Sequence, residues 1–164
     1  MSTQLKDTTA TQTTTTLTPY LCCRNAAEAI EFYRKAFGAE PMMTLRLPDG
    51  RIMHAALELN GAHFMLAEEF PEYGGSSPQA LGGTPVALHL NVPDCDAVFQ
   101  RAVDAGCQVR MPLQDMFWGD RYGLVVDPYG HQWSIATHQR QVSVEEMQQA
   151  VNEMGMCEGQ ATPE

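Results

Sequence analysis

His54 and Glu58 combine side chains and a spacing that suit acid–base chemistry. They stand four residues apart in a segment whose alternation predicts a β-strand, so both side chains are expected on one face of it. A carboxylate neighbour raises the pKa of an imidazole, which favours proton transfer by such a pair. The alternative is a hydrogen-bonded histidine without a catalytic role. His54 and Glu58 are therefore candidate catalytic residues.

Aromatic and charged residues also gather between Phe117 and Tyr122. Trp118 and Tyr122 offer surface on which a ligand could stack, and Asp120 or Arg121 could orient it. The alternative is an ordinary turn with a core tryptophan and an internal contact between Asp120 and Arg121. Our hypothesis assigns ligand contacts to Trp118, Asp120, Arg121 and Tyr122.

An internal repeat positions both groups of residues. One constant shift along the chain superimposes Asn25 on Asp94, Gly50 on Gly119, Gly61 on Gly130, and Phe64 on Trp133. Helix caps, turn glycines and core aromatics are the positions that backbone geometry dictates most strongly. Such self-similarity indicates two copies of one supersecondary unit.

Each copy contains a strand, a capped helix and three further strands. The strands are predicted at 17–23, 42–47, 51–59 and 62–67 in the first copy, and at 86–92, 109–113, 124–127 and 132–137 in the second. Asn25 and Asp94 are predicted to cap the two helices. The predicted fold class is α+β, with two tandem βαβββ modules that form a curved mixed sheet. The helices are expected outside this sheet and a concave cleft inside it.

The chain is predicted to divide into five segments. These are a disordered lead-in (1–16), the first βαβββ module (17–67), a linker (68–85), the second module (86–138), and an acidic C-terminal helix and tail (139–164). The C-terminal helix has only a weak apolar stripe, so we expect it on the outside of the protein or against a partner.

Composition narrows the functional classes. The net charge is −10, which disfavours nucleic acid, because phosphate binding needs a basic surface. No apolar run approaches the roughly 20 residues that cross a bilayer, and the N-terminus lacks the apolar region of a secretory signal. The five cysteines form no C-x-x-C pair, which predicts reduced thiols. We expect a cytoplasmic protein that binds neither nucleic acid nor membrane.

Several motifs together carry a resemblance to a known family. AAEAIEFYRKAFGAE follows the first strand, and DPYGHQW lies in the last hairpin. With the two βαβββ modules, these motifs resemble the vicinal oxygen chelate superfamily, which contains glyoxalase I, bleomycin-resistance proteins, fosfomycin-resistance enzymes and extradiol dioxygenases. DGRIMHAALELNGAHFMLAEE and WGDRYGLVVDPYGHQW resemble its PhnB-like branch. The resemblance covers residues 17–137 and implies a cleft on the concave sheet, often completed by a second subunit in a homodimer.

The resemblance also implies where a metal ion would bind. Metal enzymes of the superfamily take ligands from the first and last strands of each module, which correspond here to Thr18, Met65, Ala87 and Ser134. Glyoxalase I would have imidazole, amide or carboxylate groups there. A divalent metal needs three or four good donors, so the usual metal site is expected to be absent. Met65 and Ser134 are instead assigned to the ligand cleft.

A displaced metal site is the alternative. His89 lies two residues from Ala87 and His63 two residues from Met65, so His54, His63 and His89 are expected on the inner face. The simpler interpretation is hydrogen-bonded histidines without a metal, with His89 among the ligand-binding residues.

Three functional classes stay open on this basis. The leading one is metal-independent binding of a small organic molecule, similar to the bleomycin-resistance members that sequester a drug. The second is a lyase, isomerase or dioxygenase of the same superfamily, with a divalent metal at the displaced site. In the third, the dimeric surface and the C-terminal helix matter more than the cleft.

Overall fold

A computed structural model describes residues 15–155 and shows two successive modules. The first consists of β1 (Tyr20–Cys23), α1 (Ala26–Phe37), β2 (Glu40–Arg46), β3 (Ile52–Leu59) and β4 (Ala62–Glu68). The linker contains a 3-10 turn (Pro71–Tyr73) and a short helix, α2 (Pro78–Leu81). The second module consists of β5 (Ala87–Asn91), α3 (Cys95–Ala105), β6 (Gln108–Asp115), β7 (Asp120–Val126) and β8 (Gln132–His138), and α4 (Val144–Glu153) follows it. No helix within 15–155 is long and apolar enough to cross a membrane.

The predicted α+β class with two βαβββ modules is confirmed. The first sheet has the strand order β1-β4-β3-β2 and the second the order β5-β8-β7-β6. The outer strand of each module, β1 or β5, runs parallel to its neighbour, and the other pairs are antiparallel, so both sheets are mixed. In the described part of the chain, no strand of one sheet pairs with a strand of the other.

Each sheet has one face against a helix and one face open. In β3, every second residue is buried on the helix side: Ala55, Leu57 and Leu59. The residues that alternate with them are His54, Ala56 and Glu58, which point the other way because strand side chains alternate. We call this open side the inner face of each module. It is where the predicted cleft residues must lie.

The two helices are capped from the ends of the last strands. Glu68 on β4 accepts hydrogen bonds from the backbone N–H groups of Asn25 and Ala26, at 2.8 and 3.0 Å. At the equivalent position of β8, the Thr137 hydroxyl accepts one from the Cys95 N–H at 2.8 Å. The prediction that the Asn25 side chain caps α1 is wrong, because Asn25 is left-handed (φ 62°) and makes no such bond.

The helix of the second module, α3, does carry the predicted cap. The side chain of Asp94 accepts a hydrogen bond from the Ala97 N–H at 3.0 Å, which satisfies one of the unpaired donors in the first turn of α3. α1 and α3 therefore begin in different ways, although a side chain of the last strand accepts a hydrogen bond at the N-terminus of each.

The modules share one core across their helices. α1 packs against α3, and the aromatic rings of Tyr33, Phe37, Phe64 and Trp133 contact one another between the two sheets. Asp127 lies within this cluster and accepts hydrogen bonds from the Tyr33 hydroxyl and the Trp133 indole, both at 2.8 Å. A buried carboxylate with donors from both modules fixes how they meet.

The repeat changes its spacing at the last hairpin. β3 and β4 turn directly after Leu59, which pairs with Ala62, whereas Asp127 and His131 enclose a longer turn between β7 and β8. The shift that relates β3 to β7 is therefore shorter by a single position than the shift that relates β4 to β8. By register, Tyr122 rather than Gly123 corresponds to His54.

Candidate functional site

The inner face of the first module joins His54 to Tyr20 rather than to Glu58. The Tyr20 hydroxyl lies 3.0 Å from His54 Nδ1, and the two rings meet edge to face. Glu58 instead accepts a hydrogen bond from the Gly61 N–H at 3.3 Å, beside the hairpin turn. The structure therefore does not form the predicted acid–base pair, although both side chains lie on the expected face.

A cavity of about 520 Å³ opens beside Tyr20. Its floor is the inner face of β1 and β4, and its wall is the linker that follows β4. The apolar and aromatic side chains around it include those of Leu47, Met53, Ala67, Phe70 and Tyr73. This volume and this mixture of groups are typical of a site for a small organic molecule.

Arg51 is the cationic group of this cavity. Its Nε donates to Asp49 Oδ2 at 2.8 Å, its guanidinium lies 4.8 Å from the centre of the Phe70 ring, and Nη1 lies 3.6 Å from Glu72. Hydrogen bonds from the Arg51 backbone and side chain lower the pKa of Asp49. The guanidinium is thus oriented as a flat surface at the rim, with its charge largely balanced.

Burial makes two of the thiols poor nucleophiles, and one of them lines the cavity. The four cysteines within 15–155 are all free. Burial raises the pKa of Cys22, which lines the cavity, and raises the pKa of Cys107 to about 12. A protonated thiol attacks slowly, so burial makes Cys22 a weak nucleophile.

The inner face of the second module is more polar. His89 Nδ1 lies 2.7 Å from the Ser134 hydroxyl, and His89 Nε2 lies 3.3 Å from Asn91 Oδ1. The Tyr122 ring stacks on the His89 ring, with 6.1 Å between centroids and 21° between planes. The structure thus brings together three of the predicted ligand residues, and their neighbour Asn91.

Trp118 and Asp120 extend this face towards the end of the sheet. The indole of Trp118 donates to Asp120 Oδ2 at 3.1 Å and contacts the edge of Tyr122. The other oxygen of Asp120 lies 2.8 Å from His138 Nδ1. The sequence prediction missed His138. Counting the antiparallel register from the hairpin would have placed it opposite Asp120.

Arg121 does not belong to this group. It points to the opposite face, where it makes two hydrogen bonds of 2.8 Å to Asp96 and one of 3.2 Å to Asp115. The guanidinium lowers the pKa of Asp96. Arg121 thus ties β7 to α3 and β6, and it is not part of the predicted ligand mouth.

The residues of the usual metal positions do not fit a metal ion. In the strand register, Tyr20 lies opposite Met65, and His89 lies opposite Ser134. Tyr20 and His89, two residues beyond Thr18 and Ala87 respectively, are therefore the residues of the first strands that lie opposite the usual metal positions of the last strands. A thioether, two hydroxyls and one imidazole are a weak donor set for a divalent ion. Within 15–155 the structure shows no group of three His, Cys, Asp or Glu side chains placed to hold one ion, so a displaced site at His54, His63 and His89 stays a prediction.

Comparison with known proteins identifies the family. Residues 12–135 match the model of the Glyoxalase/Bleomycin resistance protein/Dioxygenase superfamily, so the chain belongs to this superfamily. An uncharacterised protein of Mycobacterium tuberculosis is 47% identical over 155 residues, which cover 93% of this chain and 91% of that protein. Protein YjdN of Escherichia coli is 25% identical, over 73% of this chain and 92% of its own.

Solved structures show the same architecture. TioX from Micromonospora is 30% identical with a TM-score of 0.62, over 76% of this chain and 99% of that one. The PhnB protein of Bacillus cereus is 23% identical with a TM-score of 0.54, over 75% of this chain and 99% of that one. The predicted superfamily is confirmed by the family model, and the fold is similar to that of a PhnB protein.

Proposed function

We propose that the protein binds a small organic molecule on the inner faces of its modules, without a metal ion at the usual positions. The observation that carries the proposal is the cavity of about 520 Å³ bounded by β1, β4 and the linker. Its lining is mostly apolar and includes one oriented guanidinium. Bleomycin resistance proteins are among the family's named members, which supports a binding role.

Filling the cavity tests this proposal. Ala67 lies on the cavity floor with its side chain on the inner face, so Ala67→Phe places a ring in the bound molecule's space. The control is Ala97→Phe, at an exposed position of α3. With anilinonaphthalene sulfonate as the fluorescent probe, we expect Ala67→Phe to weaken binding about tenfold, or about 1.4 kcal/mol, and Ala97→Phe to leave it unchanged.

The same titration addresses the metal. Binding to the wild-type protein should be equal before and after treatment with EDTA. Loss of binding with EDTA, recovered on addition of Ni, Zn, Mn or Fe(II), would contradict the proposal, as would equal affinity in the Ala67→Phe and Ala97→Phe variants.

An enzymatic role is the competing proposal. The hydrogen bond between Tyr20 and His54 at the cavity mouth supports it, because a paired phenol and imidazole can move a proton. A lyase, isomerase or dioxygenase with displaced ligands requires near-stoichiometric metal that is lost in His54→Ala or His89→Ala. Elemental analysis of untagged protein purified without chelator tests this metal-dependent form of the proposal.

We also propose that two copies associate through the inner face of the first module. Tyr20, Met43, Leu45 and Met53 expose between 45% and 58% of their surface on or beside the inner face of the first module. Such a patch is typical of a surface that a partner covers. Light scattering should report a dimer, and Leu45→Glu should shift it to the monomer while leaving the far-ultraviolet circular dichroism unchanged.

A further inference from the structure

Two aromatic rings and a carboxylate meet at the turn before β7. The Trp118 and Tyr122 ring centroids lie 5.7 Å apart with their planes at 75°, and Phe117 packs edge to face on the other side of Trp118 at 5.0 Å. All three rings are half-buried, so each retains exposed surface. The indole N–H is held by Asp120, which fixes the orientation of the ring beside the carboxylate.

No lysine or arginine is paired with this carboxylate in the part of the chain that the structure describes; its partner on this face is His138. Arg121, the neighbour of Asp120 in sequence, is held on the opposite face by Asp96 and Asp115. His138 contacts Asp120 through Nδ1, and a neutral imidazole can donate that hydrogen bond. The Asp120 side chain is 20% exposed, so it is partly withdrawn from water yet still accessible.

The same turn in the first module has the opposite chemistry. The shift that superimposes Gly50 on Gly119 also places Asp49 on Trp118 and Arg51 on Asp120. In each turn the two residues that flank the glycine form a hydrogen bond. Arg51 donates to Asp49 in the first module, whereas Trp118 donates to Asp120 in the second. At this turn the first module places a guanidinium, whereas the second module places a carboxylate flanked by aromatic rings.

We propose that the Trp118–Asp120–Tyr122 cluster is a binding site for an organic cation, such as a quaternary ammonium group. Aromatic faces attract such cations through the ring quadrupole, and tryptophan does so most strongly. A neighbouring carboxylate adds direct charge attraction, which is stronger near a partly buried site than in bulk water. The site lies on the second module and does not depend on occupancy of the first-module cavity, so the two proposals fail separately.

Choline chloride is the probe that tests this site, with its uncharged isostere as the comparison. In the isostere a carbon atom replaces the ammonium nitrogen, so its size and shape are kept. Trp118 is the part-exposed tryptophan and Trp133 is buried, so quenching of tryptophan fluorescence reports on Trp118. At constant ionic strength, choline should quench the signal saturably, and the isostere should bind at least about tenfold more weakly.

Two variants test whether the Asp120 carboxylate attracts the cation. Asp120→Asn keeps an acceptor for the Trp118 indole but removes the charge, so choline should bind about fivefold to tenfold more weakly. Asp115→Asn removes one charge from the opposite face and should change affinity by less than about twofold. Tyr122→Leu, which keeps the carboxylate and removes one ring, provides a second variant should Asp120→Asn fold poorly.

Three results would overturn the proposal. They are equal affinity for choline and its isostere, equal weakening by Asp115→Asn and Asp120→Asn, and the absence of saturable quenching in the wild-type protein. Weakening by Tyr122→Leu together with discrimination against the isostere would support it. The Ala67→Phe variant of the cavity should bind choline as the wild-type protein does.

Discussion

The inner faces of the two modules are built on the same scaffold but carry different chemistry. At one pair of equivalent register positions, Tyr20 stands opposite Met65 in the first module and His89 stands opposite Ser134 in the second. At the next pair, His54 in β3 corresponds to Tyr122 in β7. Each module thus has one tyrosine and one histidine, with their places exchanged, so repetition of the backbone does not repeat the site.

The surroundings of these pairs increase the difference. The first module has a cavity walled by the linker, with Met53, Phe70 and a balanced Arg51. The inner face of the second module instead presents Asp120 among aromatic rings. A strand position thus fixes where a side chain points, whereas its partners in other segments decide what it can bind.

The largest loss of stability is expected at the last hairpin, where the two modules differ. Asp127, which is buried and accepts four hydrogen bonds, stands where the first module has Leu59. Asp127→Ala leaves those buried donors unsatisfied, so unfolding in urea should show a loss of about 3–5 kcal/mol. Leu59→Ala, at the equivalent position, should cost about 2–3 kcal/mol. A loss in Asp127→Ala no larger than the loss in Leu59→Ala would contradict the role of the buried carboxylate in joining the modules.

A second comparison concerns how each helix packs on its sheet. Ala55 and Ile30 of the first module correspond to Gly123 and Phe99 of the second. A Cβ added at Gly123 would lie 2.6 Å from the Phe99 ring. The second module thus combines a larger helix residue with a smaller strand residue at the same contact.

Gly123→Ala should therefore destabilise the protein by about 1–3 kcal/mol through overpacking. Combining it with Phe99→Ile recreates the packing of the first module, so the loss in the double variant should be smaller than the sum of the two single losses. A complete double-mutant cycle in urea measures this coupling. Additive losses would show that the ring and the glycine are not matched.

The third comparison uses the two helix caps. Removing the side chain of Glu68 or Thr137 leaves two backbone groups without a partner, so Glu68→Ala and Thr137→Ala should each cost about 1–2 kcal/mol. Only Glu68 adds a charge at the helix N-terminus. Molar sodium chloride should therefore reduce the loss in Glu68→Ala and leave that in Thr137→Ala unchanged.

The smallest expected effect is a pH dependence at the module junction. His131 stands where the first module has Ala62 and lies 3.2 Å from the Cys22 carbonyl oxygen. Burial lowers its pKa from 6.5, while Asp127 and the Cys22 carbonyl partly oppose this. Because the unfolded chain binds the proton more readily, the stabilisation from a neutral His131 is complete above pH 6.5 and declines as the pH falls towards the lower folded-state pKa.

Urea unfolding between pH 8 and pH 5 measures this contribution. Relative to His131→Gln, the wild-type protein should lose less than about 1 kcal/mol over the acidic part of that range. A parallel dependence in both proteins would assign the titration to other histidines.

The fold could be predicted because its signals are local or periodic. Gly61 and Gly130 have φ of 87° and 88°, as tight turns between paired strands require, and the glycine spacing revealed the repeat. Alternation likewise placed His54, Met65, His89 and Ser134 on the inner face. The site was harder to predict, because the linker that walls the cavity has no strand or repeat pattern that would show where it folds back.

The two modules, the class of fold and the face on which the strand residues lie follow from the amino-acid sequence, since turns and side-chain alternation depend on neighbours along the chain. Which charges meet depends on how the segments fold against one another. Arg121 turns away because Asp96 on α3 lies within its reach, and Asp120 pairs with His138 across the strands. Contacts of this kind join residues 18 to 25 positions apart, and the pattern of either segment alone does not encode them.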